Sequence, residues 1–143
     1  MRTGVAAALL AATLLLGGCA DGALSTTSGP TAATAPTSGS SLSPAEFAAA
    51  AKLSGTTIID VRTPAEFSAG HLSGAVNVDV QAATFAQKIA ALDHSKNYAV
   101  YCHSGNRSQA AKASMQRAGF AHVFDLAGGI QAWQSAGGDV VTG

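Results

Sequence analysis

The 143-residue chain holds two cysteines, Cys19 and Cys102, and the second stands in surroundings suited to reaction at sulfur. Residues 102–108 read Cys102-His103-Ser104-Gly105-Asn106-Arg107-Ser108. A run of strand type, Tyr98-Ala99-Val100-Tyr101, leads into them, and a helical pattern from Ser108 to Ala118 leads out. A loop that turns from a strand into a helix N-terminus aims several backbone N–H groups at one spot, and the helix dipole adds partial positive charge there. Gly105 permits a turn where a Cβ would clash, and Arg107 adds a fixed positive charge beside the pocket. These surroundings favour thiolate over thiol at Cys102, and the thiolate is the attacking form. The expected chemistry is therefore covalent catalysis with Cys102 as nucleophile. A cysteine that merely packs is the plainer alternative. Cysteine, glycine and arginine together on one strand-to-helix loop argue against it.

The other polar residues have mainly structural readings. Asp60 and Arg62 fall at the end of a second strand-type run, Thr57 to Val61, near the same sheet edge as the loop. They are expected to form an ion pair that orders neighbouring turns. His71 and Asn77 lie between a short helix and an extended piece, where their side chains can bond backbone groups. His94 and His122 read as ordinary surface or edge residues, and Trp133 as a core anchor. The spacing of His71, His94, His103 and His122 forms no metal-ligand pattern. Neither a metal nor an organic cofactor is expected.

Positioning such a loop requires a sheet. Ser43-Pro44-Ala45-Glu46 and Thr63-Pro64-Ala65-Glu66 are two capping boxes with Pro at the first helical position. The first starts a helix that turns Phe47, Ala51 and Leu53 inward; the second starts a short one that Gly70 ends. Val76 to Val80 is extended, Thr84 to Leu92 is helical, Val123-Phe124 is a strand and Ile130 to Ser135 a helix. Strands that alternate with helices predict an α/β domain with a parallel β-sheet flanked by helices. The active loop then sits beyond the carboxyl end of a strand, where open α/β sheets place function.

Upstream of this domain the composition changes. Arg2 followed by the apolar run Val5 to Leu16 is too short for a permanent bilayer span and fits a signal-peptide core over residues 1–18. Residues 19–42 are mostly Ser, Thr, Gly, Ala and Pro, a composition that buries little and predicts a flexible tether. As a coil it would reach roughly 25–30 Å. Leu16-Gly17-Gly18-Cys19 resembles the bacterial lipoprotein signal, which implies cleavage before Cys19, acylation of Cys19 and an extracytoplasmic, membrane-anchored domain over residues 43–143. The two cysteines then have separate fates rather than a shared disulfide.

Three motifs in order resemble the rhodanese sulfurtransferase family. The active loop C-x-x-G-x-R-[S/T] is matched by Cys102, Gly105, Arg107 and Ser108. An upstream signature is matched between residues 60 and 77, with Asp60, Arg62, Glu66, Phe67, Gly70, His71 and Asn77 among its carriers. The downstream piece L-x-G-G-x-x-x-W is matched by Leu126, Gly128, Gly129 and Trp133. The resemblance implies a single rhodanese-like domain and a persulfide mechanism. Cys102 takes the outer sulfur of a donor such as thiosulfate, and cyanide or a thiol removes it. It also implies that His103, Ser104, Gly105, Asn106 and Arg107 line the substrate site, with Arg107 attracting an anionic donor. Asp60, Arg62, Glu66, His71, Asn77 and Ser108 stand as supporting residues.

Composition limits the partners. Eight Lys plus Arg balance eight Asp plus Glu, so no basic surplus exists to neutralise the phosphates of a nucleic acid. Only 11% of residues are charged and 6% aromatic, which predicts a core of small side chains. The expected partners are a small sulfur donor and acceptor, a protein acceptor if the domain works as a persulfide relay, and the membrane. A phosphatase-like or arsenate-related activity is the remaining alternative. It is disfavoured because four residues separate Cys102 from Arg107, where the phosphatase loop has five.

Overall fold

The computed structural model describes residues 24–143; the signal-peptide reading of residues 1–18 and the acylation site Cys19 lie outside the described residues. The chain runs β1 (Ser41–Leu42), α1 (Pro44–Ala51), β2 (Thr56–Asp60), α2 (Pro64–Ala69), β3 (Val76–Asn77), α3 (Phe85–Ala90), β4 (Asn97–Tyr101), α4 (Asn106–Arg117), β5 (His122–Leu126) and α5 (Gly129–Ser135). The five strands form one sheet in the order β1-β5-β4-β2-β3, and every pair is parallel. From β2 the chain moves outward to β3, whereas from β4 it moves the other way to β5. The carboxyl ends of β2 and β4 therefore flank the point where the winding reverses, which is where a crevice opens.

Side-chain alternation builds two cores. Ala99 and Tyr101 of β4 pack with Phe47 of α1 and with Ile130 and Trp133 of α5. Tyr98, Val100 and Cys102 point to the opposite face, against Phe85 and Ile89 of α3 and Ala111 and Met115 of α4. Phe47 meets Phe124 and Trp133 edge-on at 6.3 and 6.4 Å, and aromatic pairs of this kind contribute about 0.5–1.5 kcal/mol beyond burial. Both capping boxes form. Ser43 and Thr63 each accept from the N–H of the glutamate three residues on, and each glutamate accepts from the cap's own N–H.

Residues 24–42 depart from the expected flexible tether. Ser41–Leu42 adds to the sheet edge as β1, with Leu42 buried, so the folded unit begins before Ser43. The preceding residues lie as a strap on the domain. Asp139 N donates to Leu24 O, Ala32 N to Ala49 O, and Gly39 N to Val123 O. Lys52 Nζ reaches Ser25 O and Ser28 O at 2.8 and 3.1 Å, and Thr26 Oγ1 donates to Ser73 O. Low apolar content argues against side-chain burial but leaves backbone carbonyls free to accept, and every residue carries one.

Candidate active site

Cys102 follows directly on β4 and is 1% exposed. Its Sγ accepts a hydrogen bond from Gly105 N at 3.1 Å and lies 3.6 Å from Ser108 Oγ. Gly105 caps α4 in the left-handed region, at φ +103°, a conformation that folds the loop back so that its N–H reaches the sulfur. The loop rests on the turn before α5. Ile130 N donates to Cys102 O at 2.9 Å and Gln131 N to His103 O at 3.2 Å. A Cβ on Gly129, itself at φ +61°, would sit 2.5 Å from Cys102 O and His103 O. The Gly128-Gly129 pair thus lets two backbone segments touch, a role the sequence motif marks without explaining.

Among the loop's remaining residues, His103, Ser104 and Asn106 are exposed and Gly105 and Ser108 buried. Arg107, expected as a fixed positive charge beside the pocket, is held in an ion pair. Its Nη1 and Nη2 donate to Glu66 Oε2 and Oε1 at 2.8 and 2.7 Å, a bidentate pair that spends the guanidinium's fork on a carboxylate of α2. Glu66 also accepts from Thr63 N and Thr63 Oγ1. Arg107 above all, with the Thr63 bonds, holds the Glu66 carboxyl down at about 2, and Glu66 in turn raises Arg107. The sequence shows Glu66 as a cap residue; its bond to a residue 41 positions away carries no local signal.

Asp60 and Arg62 form the expected pair, buried and doubly bonded. Arg62 Nε donates to both Asp60 oxygens at 3.0 Å, and Nη2 donates to Asp60 Oδ2 and to Gly70 O. Asn77 Nδ2 bonds Asp60 O and Arg62 O, and His71 Nδ1 lies 2.9 Å from Phe67 O with its ring stacked on Phe67. Tyr101 Oη accepts from Leu72 N, and burial pushes its hydroxyl well above its ordinary range. These residues tie the end of β2 to α2 and do not touch the sulfur. His122 is exposed as expected. His94 is half-buried and stacks on Phe120, with its Nε2 lacking a hydrogen-bond partner.

A cleft of about 190 Å3 opens beside the loop, bounded by His103, Arg62, Glu66, Gln134 and Val140. A larger one, about 260 Å3, lies between the strap and α1, where Lys52 is the only charged lining residue among the described residues. The smaller cleft is the one beside the Cys102 loop: His103 borders it, together with Arg62 and Glu66 of two ion pairs.

One buried charged cluster next to the loop was not anticipated. Asp125 of β5 is fully buried and bonds Ser41 Oγ, Lys112 Nζ and Ser108 Oγ at 2.6, 2.7 and 2.9 Å. An aspartate inside an apolar strand run, Val123-Phe124-Asp125-Leu126, was the available signal, since a buried carboxylate requires partners.

The model of the rhodanese-like domain family matches residues 43–136. A thiosulfate sulfurtransferase GlpE of Pseudomonas fluorescens is 38% identical over 93 residues, which is 64% of this chain and 83% of that protein. The GlpE of Pseudomonas aeruginosa is 38% identical over 81 residues, 57% of this chain and 72% of its own length. The crystal structure of a rhodanese-related protein from Thermoplasma volcanium superposes with a TM-score of 0.64 at 33% identity, covering 71% of this chain and 97% of that one.

Proposed function

The chain belongs to the rhodanese-like domain family, and on that premise we propose that it is a sulfurtransferase carrying sulfane sulfur as a persulfide on Cys102. The observation that carries this reading is the buried Cys102 sulfur under the Gly105 N–H at the head of α4. In the loading step the thiolate attacks the outer sulfur of thiosulfate. The S–S bond of the donor breaks and sulfite leaves with the electron pair. The anionic outer sulfur of the resulting persulfide then lies at the mouth of the loop, where the N–H groups of the first turn of α4 favour negative charge. Cyanide or a thiol attacks that outer sulfur and regenerates the Cys102 thiolate.

Arg107 serves this reaction chiefly as a brace. With its fork on Glu66 it ties α4 to α2 and leaves little net charge at the cleft. Donor anions are then met mainly by backbone dipoles. The test is thiocyanate production from thiosulfate and cyanide by the purified full chain, with the strap in place. Turnover that disappears in Cys102→Ser supports the proposal. A persulfide on Cys102 without small-molecule turnover points instead to relay to a protein acceptor. Hydrolysis of an aryl phosphate with no persulfide overturns sulfur transfer.

The membrane anchor is the second part of the proposal and rests on Leu16-Gly17-Gly18-Cys19. With residues from Leu24 onward docked, the span between Cys19 and the domain is at most about 18 Å, shorter than a free coil of the whole segment. Cys19→Ala should move the protein from the membrane to the soluble fraction; unchanged association counts against acylation.

A further inference from the structure

Asp125, Ser108 and Cys102 form a line of carboxylate, hydroxyl and sulfur inside the domain. The Oδ1 of Asp125 is occupied by Lys112 Nζ and Ser41 Oγ, and its Oδ2 receives Ser108 Oγ. Three acceptors surround that hydroxyl: Asp125 Oδ2 at 2.9 Å, Gly105 O at 2.9 Å and Cys102 Sγ at 3.6 Å. A serine has one hydrogen to give, and an ionised carboxylate is the strongest of the three acceptors. The hydrogen therefore stays on Asp125, and the lone pairs of Ser108 face the sulfur. They accept from a thiol S–H but oppose a thiolate.

We infer, building on the sulfurtransferase reading, that Asp125 is a positioning residue for reaction at Cys102, holding the Ser108 hydrogen away from the sulfur so that negative charge is disfavoured on Sγ. Loading moves the charge outward. Thiolate plus thiosulfate becomes persulfide anion plus sulfite; the charge leaves Sγ for the added sulfur, farther from Ser108 and closer to the loop mouth. Sγ becomes an uncharged sulfur for which Ser108 need not turn. The carboxylate thus tilts the loading equilibrium toward persulfide and keeps the empty cysteine quieter.

The charges around the loop are largely engaged, and the residual attraction between Arg107 and the Cys102 sulfur is common to the parent and the Asp125 variant. Arg107 of α4 is paired with Glu66 of α2, Arg62 with Asp60 at the end of β2, and Lys112 of α4 with Asp125 itself; His103 is exposed and borders the cleft. The line also explains why an aspartate is tolerated as the next-to-last residue of β5. Lys112 supplies the compensating charge, and its two remaining hydrogens are shared among Gly39 O, Ser40 O and Ser41 Oγ.

The test measures iodoacetamide alkylation of Cys102 across pH on the full chain, without a sulfur donor, following the Cys102 peptide by mass spectrometry. It also measures the persulfide-to-thiol ratio at a fixed ratio of thiosulfate to sulfite. In Asp125→Asn the carboxamide N–H donates to Ser108 Oγ, which leaves the hydroxyl hydrogen to Gly105 O at 2.9 Å or the Cys102 sulfur at 3.6 Å, and an ionised sulfur is the stronger acceptor of the two. Alkylation at pH 6 should rise 3- to 10-fold and the persulfide-to-thiol ratio should fall by a similar factor. In a Ser108→Ala background the same Asp125→Asn change should move alkylation less than twofold. An unchanged or slower rate in Asp125→Asn overturns the inference, as does an equal effect with and without Ser108. Should Asp125→Asn fail to fold, Ser108→Ala against Ser108→Thr decides. Alanine should alkylate faster than threonine, and slower alkylation would show the hydroxyl donating to sulfur. Alkylation needs no sulfur donor, so its outcome is separate from any failure of Cys102 to form a persulfide.

Discussion

The active loop and the N-terminal strap are both irregular backbone laid on the same parallel sheet, and they are held by opposite means. The loop at residues 102–105 is gripped from within. Gly105 turns its N–H onto the Cys102 sulfur, Gly129 admits the loop backbone to contact, and Ser108 hangs from a buried carboxylate. The strap is gripped from outside, by Lys52 and Lys112 reaching its carbonyls and by backbone bonds to Ala49 and Val123. A segment held through residue identity tolerates few substitutions, whereas one held through its carbonyls tolerates many. The loop should therefore be brittle and the strap forgiving, with one exception where the two meet.

That meeting point is Lys112, and it should show the largest effect. Its ammonium bonds the buried Asp125 and three oxygens of residues 39–41. Lys112→Met removes the compensating charge from a carboxylate that has no access to water, at a cost of about 3–5 kcal/mol. Urea denaturation should show this loss, and a change under about 1 kcal/mol would mean that Asp125 is not held as a charged pair.

Gly129→Ala comes next and acts on the loop alone. The new methyl meets two carbonyl oxygens at 2.5 Å from a left-handed backbone. Overpacking of this kind costs about 1–3 kcal/mol, and relief requires the Cys102 loop to move. Sulfur transfer should fall more than tenfold while the sheet persists by circular dichroism. Retained activity would break the claim that the two glycine-bearing turns set the sulfur's position.

These contacts explain which parts were legible in the amino-acid sequence. Ser43 with Glu46, Thr63 with Glu66, and Asp60 with Arg62 interact over two or three positions, so spacing alone reveals them. The strand-to-helix turn at Cys102 was legible because its strand, glycine and helix signals fall in one short run. β1 and the strap were not, since their bonds use backbone groups that every residue shares. Arg107 with Glu66 and Asp125 with Lys112 pair across elements, and nothing in either neighbourhood names the partner. The winding of the sheet, which brings β2 and β4 side by side, creates the first of these pairs, and the packing of α4 on β5 the second.

Glu66 offers a smaller and pH-dependent distinction. Its carboxyl stands near 2 in the folded chain against an ordinary 4.5, chiefly through Arg107. A depressed carboxyl contributes stability that is fully present above about pH 4.5 and lost as pH falls toward 2. Glu66→Gln should thus destabilise the protein at pH 7 and converge with the parent near pH 2. The pair is partly exposed, at 26% and 33%, so its contribution is no more than about 1 kcal/mol. Parallel stability curves across this range would show that the Arg107 brace adds nothing.

The smallest effect belongs to the strap itself. Lys52→Ala removes the donor to Ser25 O and Ser28 O, carbonyls that water can serve once the lysine is gone. Global stability should change by less than about 1 kcal/mol and sulfur transfer should stay as it was, because Lys52 lies on neither core nor loop. What should change is local opening. Deuterium uptake across residues 24–35, reported by the Ala32 amide that bonds Ala49 O, should quicken several-fold while uptake at β4 holds steady. Equal quickening at β4 would mean that the strap and the sheet open as one unit. In that case the strap is not a forgiving addition to the domain but part of what holds the Cys102 loop in place.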